Sequence, residues 1–343
     1  MTATLPPTGS TSGSAGDALD PADGDNRSAI TRIVGRVPRS AWPLIVFAIL
    51  FLIGGIIRPN LLSVDSLIGT ATFAMILAIA SFGQTVAVIG AGIDLSVPNT
   101  IAFAALSFLT WSGTIGPVPA LFAAVGAGAV IGIVNGVVVS KLGLTPIVTT
   151  IAMNGLLFGV VLLSFKNSEL TVIPQFLTDI TATKFDLFGA KIAAVLPLGL
   201  ALLVILQLIL SYSGFGRSLF VVGSAAETAK LAGLPVDRIR ITAYALSGAL
   251  AAFAGIVIVG FYAQASATMG ASYLLGSVAA VVVGGASIFG GRGSMVGTLG
   301  GALVLGQVAT LVAVANLGSN IQQLIYGVIV LIVIALYGRR ASD

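Results

Sequence analysis

Cysteine and histidine are both absent from this chain, and only 8% of its residues carry a charge. Without cysteine there is neither a disulfide framework nor a thiol nucleophile. Without histidine the commonest proton relay and metal ligand is missing. No Ser/His/Asp set, metal-ligand cluster or paired carboxylates stand out among the acidic residues that remain. The chain is therefore expected to be no enzyme and to hold no metal or cofactor of its own. What fills the sequence instead is apolar: 57% of residues are hydrophobic and the mean hydropathy is +1.09, well outside the soluble range. Glycine supplies 43 of the 343 residues, and Gly128, Gly132 and Gly136 recur at every fourth position. That spacing lets two membrane helices bring their backbones close.

Residues 1–40 hold no apolar run and are rich in Gly, Ser, Thr, Pro and Asp, so they are read as a disordered cytoplasmic tail and not as a cleaved signal peptide. Apolar runs follow at roughly 41–57, 67–90, 95–112, 117–140, 146–165, 192–211, 239–262, 273–290, 294–315 and 321–337. Most are near the ~17–25 residues that a spanning helix needs. The expected fold is all-α: a polytopic membrane protein of about ten transmembrane helices, some broken or halved. The permease domain is placed at 41–338, with a short cytoplasmic tail at 339–343. Breaks are expected at 84–97 and 263–293, where glycine and polar residues interrupt the apolar pattern.

An even number of spans puts both termini on one side, and charge can choose the side. With the termini cytoplasmic, the inside receives twelve cations: Arg27, Arg32, Arg36, Arg39, Lys141, Arg217, Lys230, Arg238, Arg240, Arg292, Arg339 and Arg340. The outside keeps four: Arg58, Lys166, Lys184 and Lys191. The polar stretch 166–191 is then an outside loop.

The charge that the spans exclude collects between Ser211 and Arg240. Ser224 and Glu227 have the spacing of a capping box, in which each side chain satisfies a free backbone N–H at a helix start. Gly233 can adopt the left-handed cap and Pro235 blocks continuation. A capped helix of about eight residues is too short to stand alone in water, so it must pack on something. Two supports are open: its own bundle or the lipid surface, and a separate cytoplasmic protein.

Asp94, in Gly90-Ala-Gly-Ile-Asp-Leu-Ser-Val-Pro98, is an acid near membrane depth, where an ionisable group is a functional candidate. Asp94 and Ser96 also stand where either can cap a helix starting near Val97, with Pro98 tolerated in its first turn. Gln84, Asn135, Asn154, Gln264 and Gln307 lie in or beside the spans. They are suited to inter-helix hydrogen bonds or to lining a hydrophilic path. The run Gly284-Gly-Ala-Ser-Ile-Phe-Gly-Gly-Arg-Gly-Ser294 lacks the Gly-Lys-Ser/Thr of a phosphate loop and reads as a tight cytoplasmic turn. Val86–Ile93 and Val281–Ile288 echo one another, a pattern that in transporters points to a central pathway.

Three stretches carry a family resemblance: Gly83–Val97 with its Gly-Ile-Asp-Leu-Ser; Gly132-Ile-Val-Asn-Gly136 leading to Thr145-Pro-Ile-Val-Thr-Thr150; and Val283–Ser294 with Gly297-Thr298. Together with Gly223–Gly233, the chain from about 45 to 338 resembles the permease subunits of bacterial ABC importers of the ribose/xylose/arabinose/galactoside class. It departs at Pro98, where such subunits usually carry Gly, and at Asn154-Gly-Leu-Leu, where an Arg is common. The resemblance implies a multi-pass protein of the inner membrane, paired with a second permease chain, alike or different. It implies a cytoplasmic ABC ATPase that binds ATP and Mg, a periplasmic sugar-binding protein, and no nucleic acid. The segment 213–240 would couple to the ATPase through Ser224, Glu227, Lys230, Gly233 and Arg238. The translocation pathway would draw on Gln84, Asp94, Asn135, Asn154 and Gln264. An ion-coupled secondary transporter using Asp94 is the alternative.

Overall fold

Glycine and proline set the boundaries of the helices. Pro98 falls in the first turn of one helix, and Pro117 and Pro146 open two more, where the missing N–H costs nothing. In a computed structural model that describes residues 42–165, 173–187 and 190–339, the chain forms thirteen α-helices. The expected N-terminal tail, the tail beyond Arg339, and Arg27, Arg32, Arg36, Arg39, Lys166 and Arg340 lie outside the described residues.

The helices are α1 (Trp42–Ile57), α2 (Val64–Ile89), α3 (Val97–Ile115), α4 (Pro117–Lys141), α5 (Pro146–Ser164), α6 (Gln175–Ala182), α7 (Val195–Tyr212), α8 (Gly214–Ser224), α9 (Ala226–Leu231), α10 (Val236–Tyr262), α11 (Tyr273–Val283), α12 (Met295–Val314) and α13 (Ser319–Arg339). Each apolar run of the sequence has its helix. Six of them (α2, α4, α5, α7, α10 and α12) are long and apolar enough to cross a membrane, and α1, α11 and the first part of α13 are shorter apolar helices. This is an all-α polytopic membrane protein. The expected breaks are present as non-helical stretches at 90–96, 263–272 and 284–294, which leave α11 a helix of 11 residues.

Two features of the connections were not legible. The segment expected as an outside loop contains α6 and an antiparallel pair of strands, β1 (Lys184–Leu187) with β2 (Ala190–Ala193), in which Lys184 faces Ala193. Lys184, Phe185 and Asp186 are all exposed, so both faces of β1 are open. Helix α8, between Ser213 and the expected coupling helix, is the other. Its start is marked by Ser213, whose hydroxyl accepts from the N–H of Gly216 at 3.0 Å.

The core forms around α2 and α10, held by small residues. Between lipid-soluble helices close packing replaces the hydrophobic drive, and here it is main chain on main chain. A Cβ on Gly128 would collide with Gly248 and Ala252 of α10, one on Gly132 with the Tyr244 carbonyl, and one on Gly136 would lie 2.7 Å from the Ile241 Cα. Gly83 meets Ser247 and Gly255 meets Ile101 in the same way. Helix α10 thus touches α4, α2 and α3 through backbone, while α5 and α7 keep broad apolar faces exposed.

Candidate functional site

The non-helical stretch 90–96 does not point into open space. Asp94 is 2% exposed, and its carboxylate is surrounded by donors. Oδ1 accepts from the backbone N–H of Ser96 at 3.0 Å and from the Ser96 hydroxyl. Oδ2 accepts from the Ser247 hydroxyl of α10 at 2.8 Å. Asn135 of α4 donates to the Ser96 oxygen at 2.9 Å. Gln84 of α2 donates to the Asp94 carbonyl at 2.9 Å and accepts from its N–H at 3.3 Å. Thr150 of α5 accepts from the N–H of Leu95 at 3.0 Å. One short loop therefore ties together four helices and the start of α3.

Ser96 stands just before α3 and Pro98 is in its first turn, as expected. The capping role is corrected in detail: neither Ser96 nor Asp94 bonds the free N–H groups of α3 through its side chain. Asp94 is used up on Ser96 itself and on Ser247. Asn154 of α5 reaches α3 instead, its Oδ1 accepting from the Asn99 side-chain amide at 3.0 Å.

A cavity of about 760 Å³ is walled in part by the stretch 263–272, in which Gly270 packs on the Pro98 main chain at the start of α3. Its wall is made by the first half of α2, the ends of α10 and α11, the second half of α12, the start of α13 and the stretch 263–272. Among its lining residues are Tyr262, Gln264, Tyr273, Thr310, Gln322 and Tyr326, and none carries a charge. Two are held in place: Tyr326 donates its phenol to the Leu305 carbonyl at 3.0 Å while accepting from the Gln322 amide at 2.9 Å. Phenol faces, amides and hydroxyls without a formal charge suit a neutral, hydroxyl-rich solute, whose ring carbons stack on aromatics while its oxygens exchange hydrogen bonds.

Of the expected pathway residues, Gln264 lines this cavity. Gln84, Asp94 and Asn135 gather in the buried loop cluster, and Asn154 pairs with Asn99 beside it. Sequence reasoning missed Tyr262, Tyr273, Gln322 and Tyr326. The i, i+4 pair Gln322 and Tyr326 was the available signal, since both lie on one helix face.

The expected coupling residues lie at the cluster end. The capping box is not formed. Ser224 is the last residue of α8, and its hydroxyl donates back to the Phe220 carbonyl at 2.7 Å. Helix α9 has 6 residues, follows Ala225, and has no side-chain cap. With Ser224 inside the preceding helix, Glu227 falls at the second helical position and has no serine to answer. Gly233 does take the left-handed conformation, at φ +80°. Glu227, Lys230 and Arg238 are exposed, and Lys141 pairs with Asp237 at 3.0 Å, joining the end of α4 to the start of α10.

Residues 66–334 match the family model described as the permease component of the branched-chain amino acid transport system. The chain belongs to this family. Curated relatives in it span nearly the whole length. The autoinducer 2 import system permease protein LsrD of Photorhabdus laumondii is 31% identical, over 89% of this chain and 92% of its own. The ribose import permease protein RbsC of Escherichia coli is 30% identical over 87% and 93%. The fructose import permease protein FrcC of Rhizobium meliloti is 32% identical over 87% and 84%. No solved structure matches the chain. As a permease component it provides the membrane passage, and chemistry is not its task.

Proposed function

We propose that this chain is the membrane-spanning permease subunit of an ATP-binding-cassette importer that moves a neutral sugar or sugar-like solute into the cytoplasm. The observation that carries the substrate class is the cavity in which uncharged phenols, amides and hydroxyls stand among apolar residues such as Phe73, Leu77, Ile258 and Met269. The family description names branched-chain amino acids, and the relatives are named for ribose, fructose and autoinducer 2. An amino acid brings an ammonium and a carboxylate, each of which needs an opposing charge or a set of dipoles once it leaves water. Among the described residues this cavity offers no charged side chain, and so it suits the neutral solute.

In this reading the cavity faces outward and receives the solute from a periplasmic binding protein. A separate cytoplasmic ATPase binds ATP and Mg and engages the exposed face of α9 with Glu227, Lys230 and Arg238. A second permease chain and lipid cover the apolar faces of α5 and α7. The protein lies in the bacterial inner membrane with both termini in the cytoplasm. An ion-coupled transporter built on Asp94 is disfavoured, because that carboxylate is occupied by three donors from within the protein.

The test is uptake into proteoliposomes holding the chain, its ATPase and its binding protein. Uptake of a radiolabelled pentose or hexose that needs ATP supports the reading, and Gln322→Leu is then expected to lower the maximal rate several-fold while leaving the binding protein's affinity alone. Uptake of leucine in place of any sugar would overturn the substrate class. Uptake by the chain alone, driven by an ion gradient, would overturn the importer.

A further inference from the structure

The two breaks nearest α8 are built to one plan. After α2 the chain turns through Ala91, at φ +61°, and after α11 through Gly285, at φ +89°. In both, the left-handed residue donates its N–H three positions back, Ala91 to Val88 and Gly285 to Val282, each at 3.0 Å. In both, the next N–H reaches back five positions, Gly92 to Ala87 at 2.9 Å and Ala286 to Val281 at 3.1 Å. The same left-handed turn also closes α9 at Gly233 and α12 at Asn316, so it is the common way these helices end. Val88, Val281 and Ala286 pack together across the two turns.

The last turn of α8 is wedged against the end of α2 and against Gly290–Gly291, further along the stretch that follows α11. A Cβ on Gly223 would collide with the Ile89 carbonyl oxygen at the end of α2 and lie 2.7 Å from the Gly291 nitrogen. Gly291, in the stretch after α11, donates its N–H to that same Ile89 oxygen at 2.8 Å. A Cβ on Gly290 would collide with the Gly223 carbonyl and lie 2.7 Å from the Ala91 Cβ. Three main chains meet here with almost no side chain between them.

We infer that Gly223 is the positioning residue of a rigid joint that hands movement of α8 and α9 at once to the end of α2 and to the stretch that follows α11. This rests on the proposal that an ATPase engages α9. Side-chain interfaces absorb small displacements by changing rotamer, whereas close-packed main chain transmits them. Each turn terminates a helix that reaches the cavity: α2 at its middle, through Leu77 and Phe73, and α11 at its first residue, Tyr273. A push on α9 therefore acts on two walls of the cavity along two helices. Nothing in a packing role alone requires that.

Gly223→Ala tests the joint in the assembled complex with its ATPase and binding protein. The expected result is normal co-purification and continued ATP hydrolysis, with solute moved per ATP reduced about tenfold. Unchanged solute per ATP overturns the inference. Should that variant fail to accumulate, spin-label distances in the otherwise unaltered complex decide the matter. The pair Ala225→Cys and Arg292→Cys spans the joint, and the pair Ala225→Cys and Thr268→Cys spans the bundle. Between nucleotide-free and ATP-bound states the first distance is expected to hold and the second to change. A shift in the first, or none in the second, overturns the joint. Failure of the unaltered chain to bind any ATPase is a separate result, and it would remove the importer reading first.

Discussion

Ser247 of α10 donates its hydroxyl to Asp94 at 2.8 Å across 153 positions of the chain, and the pair closes the buried cluster on which α2, α3, α4 and α10 converge. Both partners are at most 2% exposed. Where an acid is this enclosed, what surrounds it decides whether it is a working group or a tie. Here every contact is an internal donor.

A tie tolerates loss of charge when hydrogen-bonding capacity is kept. Asp94→Asn keeps an oxygen for Ser96 and turns an amide toward Ser247, whose hydroxyl can accept as well as donate. Expected: assembly and most of the transport survive. Asp94→Leu leaves the buried Ser96 and Ser247 hydroxyls without their acceptor, at about 1–3 kcal/mol each, and is expected to lower the yield of folded protein sharply. A well-assembled Asp94→Asn with no transport would return Asp94 to the transport mechanism.

The glycine seam between α4 and α10 predicts a contrast. Gly132→Val places side-chain atoms on the Tyr244 carbonyl, whereas a Cβ on Gly126 meets nothing within 4 Å. Overpacking of this kind costs about 1–3 kcal/mol or more. Thermal melting in detergent should therefore show Gly132→Val well below the unaltered protein and Gly126→Val close to it. Equal melting of the two variants would show that the seam does not hold the fold.

In the segment proposed to couple to an ATPase, the glycine and serine signals separate. Ser224→Ala removes a hydroxyl that bonds only within its own helix, and is expected to change stability by no more than about 0.5 kcal/mol. Gly233→Val forces a β-branched residue to φ +80°, a strain on the order of 1–3 kcal/mol that falls on α9. Pull-down of the ATPase should be normal for the first and weakened for the second. Full pull-down and coupled transport by Gly233→Val would mean that α9 is not the docking element.

Orientation is open to direct labelling because the native chain has no cysteine. Thr183 lies in the segment between α6 and β1, and Ser224 ends α8; both are exposed. With the termini cytoplasmic, Thr183→Cys should react with an impermeant maleimide on intact spheroplasts, and Ser224→Cys should react after permeabilisation. The reverse pattern would invert the topology.

The apolar helices and the breaks between them were legible because they are local, although the run expected to 290 ends at Val283. A run of apolar residues closed by glycine or proline makes a membrane helix wherever it is placed, since lipid leaves the backbone no other partner. Gly233 was legible for the same reason: its conformation depends on its own missing Cβ. The family, too, was carried by short contiguous motifs. Ser224 was misread because two overlapping local signals competed, and the packing of α8 on α2 and α10 settled the boundary. The fates of Gln84, Asp94, Asn135 and Gln264 were not written in the chain at all. Each is a polar residue beside an apolar run, alike in sequence. Three became internal ties and one a cavity wall because the glycine seams set which helices touch, and so which polar groups found a partner inside the protein.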